Sequence, residues 1–309
     1  CAEDFEAINC LRDFAREANA FIDARAGERH KPFFLYLPLS SPHTPIVPSK
    51  PWQGKSDLGK YGDFLMETDW VVGQVLQALD RHRLTENTIV IFATDNGCSP
   101  AAKIPALVAK GHKPNADWRG HKADIFEGGH RVPFLVRWPG RVKAGTSNPQ
   151  TICTADLFAT VADVIGKSTA IPSNAAEDSF SFLPALLDQA AAKRRPFTIH
   201  HSINGSFAIR RGKWKLTLCP GSGGWSAPKP AAAKNNQSLP LVQLYDLAAD
   251  PAEEHNLQAK HPERVAALVA ALAKAIKNGR TTPGPAQSNE GHPNTFSKRL
   301  LTAYPALGQ

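Results

Sequence analysis

The sequence predicts an α/β protein, a mostly parallel sheet flanked by helices, with a smaller carboxyl-terminal α+β domain. Short apolar runs of strand length, PFFLYLP (32–38), TIVIFAT (88–94) and VPFLVRWPG (132–140), alternate with amphipathic helical stripes. Strand–helix alternation is the signature of a parallel sheet. After about residue 170 the pattern changes: residues 196–219 alternate apolar and polar around glycine turns, as antiparallel strands do. A length of 309 residues suits a large domain plus a smaller one. The expected division is 1–170, 171–280 and an irregular tail, 281–309.

The elements follow in order. Residues 4–24 carry Ile8, Leu11, Ala15, Ala18 and Ile22 at helical spacing. The run 32–38 ends in the turn-rich stretch SSPHTPIVPSKP. A second helix is predicted over about 60–81, with Leu65, Val72, Leu76 and Leu79 on one face. Asp69 falls between them and is expected to be buried and hydrogen-bonded, because an unpaired buried carboxylate is costly. Another helix is expected near 154–165. Residues 220–240, rich in Gly, Pro, Ala and Ser, read as a mobile loop. VQLYDL is a short strand, and a last helix starts at Pro262 with Val265, Leu268, Leu272 and Ile276 on its apolar stripe.

Hydrophobic residues make up 42% and charged residues 21%, ordinary for a globular chain, and no apolar run is long enough to span a bilayer. The net charge is +8 and the pI about 9.3. The basic residues are scattered apart from Lys193-Arg194-Arg195 and Arg210-Arg211, without aromatic interleaving, which argues against nucleic acid. A basic surface equally suits an anionic substrate. The five cysteines show no pairing pattern of a disulfide scaffold or zinc site.

Three places carry chemistry. TIVIFAT delivers Asp95 and Asn96 at its carboxyl end, where open α/β sheets place ligands. A carboxylate beside an amide oxygen offers hard ligands for Ca²⁺ or Mg²⁺, although D-N-G alone also makes an ordinary turn. His43, in S-P-H-T-P, follows a strand run and has prolines to fix its backbone, yet a lone loop histidine is commonly a surface residue. Lys122 lies in R-G-H-K-A-D-I-F-E-G-G-H-R-V-P, and a fixed ammonium suits an oxyanion, though most lysines are simply solvated.

Taken together, F-F-L-Y-L-P…P-H-T-P, V-I-F-A-T-D-N-G and G-x-K-x-x-x-x-E-G-G-x-R-V-P-F closely resemble the sulfatase family of the alkaline phosphatase superfamily. The later segments F-A-I-R-R-G-K-W-K-L and L-Y-D-L-A-A-D-P-A-E-E-H-N-L extend the resemblance to about residue 278. It implies that Asp95 and Asn96 are one pair of Ca²⁺ ligands, that Lys122 contacts sulfate oxygens, and that His43 protonates the leaving oxygen. It also implies a formylglycine nucleophile whose hydrated form attacks sulfur, a small-molecule or glycan sulfate ester as substrate, and a periplasmic or extracellular location.

The chain is read as lacking the family's nucleophile motif C/S-x-P/A-x-R. Cys98-Ser-Pro-Ala-Ala has no arginine and follows the metal pair, whereas the family's motif precedes it. The formylglycine and the other calcium ligands are therefore expected upstream, in an amino-terminally truncated fragment that is inactive alone. A phosphate or phosphonate ester hydrolase of the superfamily is the enzymatic alternative. A non-catalytic anion- or glycan-binding remnant is the other. Loops 97–118 and 220–240 are the expected substrate-pocket loops.

Overall fold

The computed structural model describes residues 5–189, 195–289 and 296–308. The elements run α1 (Cys10–Ala26), α2 (Lys60–Arg81), β1 (Val90–Ala93), α3 (Ile104–Ala109), α4 (Glu127–His130), β2 (Phe134–Arg137), α5 (Leu157–Val164) and α6 (Leu183–Leu186). They continue with β3 (Thr198–His201), β4 (Phe207–Arg211), β5 (Trp214–Thr217), α7 (Pro230–Asn235), β6 (Gln243–Asp246), α8 (Pro262–Asn278) and α9 (Lys298–Ala303). No helix among the described residues is long and apolar enough to cross a membrane. Two compact units form: Cys1–Ala93 with Ser99–Pro114 and Phe134–Ala144, and Thr94–Cys98 with Asn115–Pro133 and Gly145–Gln309.

In the first unit the predicted stripe of α1 is buried: Leu11 and Ala15 meet Phe64 and Val71 of α2, and Ile22 meets Ala78 and Leu79. The two helices therefore run side by side in the same direction. Leu37 and Leu39 pack near the start of both helices and Phe33 and Leu35 near their ends, so this segment runs back along them.

That segment is extended but has no ladder partner among the described residues, so the predicted strand 32–38 is not formed. Only one of its faces is covered: Phe34 is 77% exposed and Tyr36 75%. β1 pairs with β2 antiparallel, Val90 opposite Arg137 and Ala93 opposite Phe134. The parallel pairing predicted from alternation is absent from the described strands, because consecutive apolar runs here meet head to tail.

Asp69 is a correction. It is exposed, and the buried face of α2 is Phe64, Glu67, Thr68, Val71, Ala78 and Leu79. The apolar stripe 65–72–76 lies to one side of that face, and Asp69 turns away from it. The buried carboxylates are Asp63 and Glu67 instead, and both are fully used. Asp63 accepts hydrogen bonds from Gly54 N (2.8 Å) and Ser56 N (2.7 Å). Glu67 accepts from Ser49 N (2.8 Å) and Ser49 Oγ (2.6 Å).

The second unit contains the antiparallel sheet expected from residues 196–219, in the order β3-β4-β5-β6. Val265, Leu268, Val269 and Leu272 of α8 pack on Ile209, Leu216, Leu218, Val242 and Leu244. Burying each such side chain contributes about 1.5–3 kcal/mol. α8 ends at Gly279, whose φ of 60° is the left-handed cap that glycine accepts without strain.

Two expectations fail in this unit. The tail is not wholly irregular: Ser297 caps α9 by accepting a hydrogen bond from Leu300 N (3.2 Å), and Leu300 and Leu307 join the core. Leucines at helical spacing anchor it. The stretch 220–240 is not a loose loop either. Gly221–Gly224 are buried and α7 follows, because glycines let the backbone lie directly on its neighbours.

Candidate active site

β1 hands the chain to Asp95 and Asn96. Asp95 is exposed, and no described group occupies its carboxylate. Asn96 donates from Nδ2 to Gly97 O (3.0 Å), which leaves Oδ1 free to bind a cation. The next residue fixes the pair in space. Gly97 N donates to Gly129 O (3.0 Å), and a Cβ at Gly97 would land on Gly128 O. The turn D-N-G and the E-G-G segment are thus in direct backbone contact.

Lys122 is tied to the same turn. Its amide donates to Cys98 O (3.0 Å), while Cys98 N donates to Asn115 Oδ1 (2.8 Å) and Asn115 Nδ2 to Gly120 O (3.1 Å). Cys98 therefore serves as a backbone bracket. The following residue, Ala123, has φ 82°, a conformation that costs a side chain about 1–3 kcal/mol and is found where surrounding structure enforces it. The Lys122 side chain is half-buried, and no carboxylate among the described residues pairs with it.

Beneath Lys122 lies a dense buried electrostatic layer. Asp124, fully buried, accepts from His121 N (3.0 Å), Trp225 N (2.8 Å), Ser226 N (3.0 Å) and Ser226 Oγ. Lys215, also fully buried, lies 3.0 Å from Glu127 Oε1 and 2.9 Å from Glu253 Oε1. The second contact is an ion pair off the angle of a hydrogen bond. Glu127 also receives Arg210 Nη1 at 3.0 Å, and Glu253 Oε2 accepts Glu127 N at 2.6 Å. Burial would raise the Glu127 pKa, but Lys215 and Arg210 outweigh it and hold the carboxylate below its usual range. Burial prevails at Glu253, whose pKa is raised despite Lys215.

Two histidines pack beside this layer, His130 and His200, with ring centroids 4.1 Å apart and the rings tilted by 46°. Burial, reinforced by Lys215, lowers the His130 pKa to about 4 and pushes His200 well below its ordinary value. Both are neutral at pH 7.

His43 belongs to the other unit. It is exposed, and its Nδ1 lies 2.8 Å from Thr44 O. A carbonyl can only accept, so the proton is on Nδ1 and Nε2 is the atom left for exchange. Its loop is pinned to α2 by Thr68 Oγ1 donating to Ser41 Oγ (2.7 Å) and by the Glu67–Ser49 bonds.

The structure thus joins Asp95, Asn96 and Lys122 through one backbone network, and places His43 in the first unit. Sequence reasoning missed the network's buried members Asp124, Glu127, Lys215 and Glu253. The signal for Lys215 was a lysine inside the apolar strand run W-K-L-T-L. One arginine of each basic run is neutralised within the protein: Arg195 bonds Asp156 and Arg210 bonds Glu127.

Reading the chain as lacking C/S-x-P/A-x-R also needs correction. Ser206-Phe207-Ala208-Ile209-Arg210 fits those letters, but it runs into β4, with Ala208 and Ile209 fully buried and Arg210 paired. It is a sheet strand and not a nucleophile turn. A further acidic group, Asp250, Glu254 and His255, has potential ligand atoms within 4.8 Å of one another. Asp250 is already engaged there, accepting from Glu254 N (3.1 Å) and His255 N (2.8 Å).

A sulfatase family model matches residues 10–167, half of the chain. The chain belongs to the sulfatase family. It is 34% identical over 267 residues to an N-acetylgalactosamine-6-O-sulfatase of Bacteroides thetaiotaomicron, covering 84% of this chain and 50% of that protein. It is 33% identical over 274 residues to the N-acetylgalactosamine-6-sulfatase of Homo sapiens, with the same coverage. The chain spans about half the length of the curated relatives it matches. A solved structure from work on the metabolism of multiple glycosaminoglycans by Bacteroides thetaiotaomicron superposes with a TM-score of 0.76 at 32% identity, covering 88% of this chain and 55% of that one. The fold is therefore that of the sulfatases. The structure of Ps i-CgsB in complex with a neocarrahexaose shares it at a TM-score of 0.69 and 24% identity, covering 91% of this chain and 58% of that one.

Proposed function

We propose that this sulfatase chain carries the anion-receiving part of a site that hydrolyses sulfate monoesters, on a small molecule or a glycan end. The observation that carries the reading is Lys122, half-buried, unpaired among the described residues, and bracketed by its own amide to the turn bearing Asp95 and Asn96. An ammonium carried on a backbone held in this way is placed to stabilise charge on a transferring sulfuryl group. His43, with its Nδ1–H committed to Thr44 O, has Nε2 free to take up a proton and, as the imidazolium, to give it to the departing ester oxygen.

Asp95 and Asn96 fit calcium as two hard oxygen donors, and calcium takes roughly six to eight, so the rest of its shell must come from other groups. When bound, the ion would supply charge neutralisation at the sulfate, and a formylglycine would supply the nucleophile. The two names of the N-acetylgalactosamine-6-sulfatases support a 6-sulfated hexosamine as the first substrate to try.

The test is anion binding by the chain, followed through the Lys122 amide by NMR. Inorganic sulfate should bind, more tightly with calcium present, and Lys122→Met should abolish it. An unchanged affinity in Lys122→Met would overturn the reading. Inorganic phosphate binding ten times more tightly than sulfate would favour a phosphate ester hydrolase instead.

A further inference from the structure

Beside Lys122 the carboxyl-terminal sheet sends out one turn, Gly221–Ser226, built for rigidity. Ser222 is fully buried: its N donates to Pro228 O (3.0 Å), its Oγ donates to Ser226 O (2.7 Å) and accepts from Gly224 N (3.1 Å), and its carbonyl accepts Ile125 N (2.8 Å). Gly224 lies flat on the Lys122 loop, since a Cβ there would strike Ala123 O. The Asp124 carboxylate then joins the two segments, receiving His121 N on one oxygen and Trp225 N on the other. Lys122 lies between the two residues, 121 and 124, that this bridge engages.

On this buried turn sits a large apolar side chain that is only partly covered. Trp225 is 41% exposed. Trp118, by contrast, is covered by the Arg131 guanidinium 3.9 Å from its ring centroid. Leaving an indole exposed costs hydrophobic free energy, and a turn this braced loses little entropy when a ligand settles on it.

We propose that Trp225 is the platform on which the ring of the ester's alcohol stacks while Lys122 receives the sulfate, so that the site takes cyclic sulfates, sugar or aryl, in preference to acyclic ones. This rests on the sulfate-binding reading of Lys122. The indole presents a flat apolar face, which a sugar's C–H face or an aryl ring matches and a short alkyl chain does not.

The experiment measures dissociation constants of the chain, with calcium, for N-acetylgalactosamine 6-sulfate, phenyl sulfate, methyl sulfate and inorganic sulfate. The Trp225 indole N–H and the Lys122 amide are followed separately by NMR. Either or both cyclic esters should bind about tenfold more tightly than methyl sulfate, a gap of the size of one aromatic contact. Trp225→Ala should erase that preference while leaving inorganic sulfate within about twofold, and Trp225→Phe should keep most of it. Which cyclic ester benefits identifies the alcohol as sugar or aryl.

A preference that survives Trp225→Ala overturns the proposal. So does an equal weakening of inorganic sulfate, which would mark Trp225 as a folding residue. If Lys122→Met binds sulfate as well as the parent while the indole still reports ring binding, the stacking stands and the sulfate reading of Lys122 falls. Silence of both probes with every anion overturns both.

Discussion

Lys122 and Lys215 belong to the same compact unit, yet they are held by different means. Lys215 is fully buried and flanked by two carboxylates, with Arg210 on the far side of one of them. Lys122 is half-buried and fixed only through its backbone, with no counter-charge among the described residues. A lysine satisfied by protein groups has nothing left to offer a ligand, whereas one positioned by main-chain bonds keeps its whole charge available. The buried network also braces the neighbouring segments: Glu127 and Glu253 anchor the E-G-G segment that in turn touches the Asp95–Asn96 turn.

The largest effect expected from breaking this contrast is on stability. Lys215→Met leaves Glu127 and Glu253 buried without their shared cation and should cost about 3–5 kcal/mol in urea unfolding. Lys122→Met should change stability by less than about 0.5 kcal/mol. Equal losses from the two would dissolve the distinction.

Acid should sharpen it next. His130 has a folded pKa of about 4 against an ordinary 6.5, and His200 is shifted the same way. A depressed histidine pKa means that the unfolded chain takes up protons first, so stability is intact above pH 6.5 and is lost as pH falls from 6.5 toward 4. At about 1.4 kcal/mol per unit, His130 alone accounts for roughly 3 kcal/mol of that loss. Glu253, raised by burial, titrates in the opposite sense and blunts the lower end. His130→Gln should flatten the unfolding free energy between pH 6.5 and 5, and a slope equal to the parent's would show that other groups set it.

The smallest effect separates two acids of α2. Glu67→Gln disturbs the buried bonds to Ser49 that hold the His43 loop, and should cost about 1–3 kcal/mol with faster amide exchange at Ser49. Asp69→Asn, on the exposed side, should fall within about 0.5 kcal/mol.

Much of this was legible in the sequence where periodicity governs. The stripe of α1 and the start of α8 at Pro262 follow from residues whose spacing leaves no other buried face, and the span of α2 from the length of its helical pattern. That the segments carrying Asp95, Asn96 and Lys122 meet was legible because their motifs come in a fixed order. The side on which α2 buries its carboxylates was not, since Asp63, Glu67 and Asp69 differ by a rotation that only the partner's shape decides. Strand pairing was hidden for the same reason: an apolar run states that it wants covering, not which neighbour supplies the cover. Buried ion networks are harder still, because Lys215, Glu127 and Glu253 are distant in sequence and each looks solvated on its own.

The bare contact of Gly97 with Gly128 bears on how sulfatases can be recombined. A side chain at Gly97 would strike Gly128 O, and one at Gly128 would strike the carbonyls of Arg119 and Gly120, so these segments constrain one another. A chimera whose crossover falls between residues 97 and 128 inherits one half from each parent and must match both spacings at once. Crossovers placed before residue 94 or after residue 133 move the D-N-G turn, Lys122 and the E-G-G segment as a single cassette. For this chain, that stretch keeps the contact intact on exchange, although it carries Ser99–Pro114 of the first unit with it.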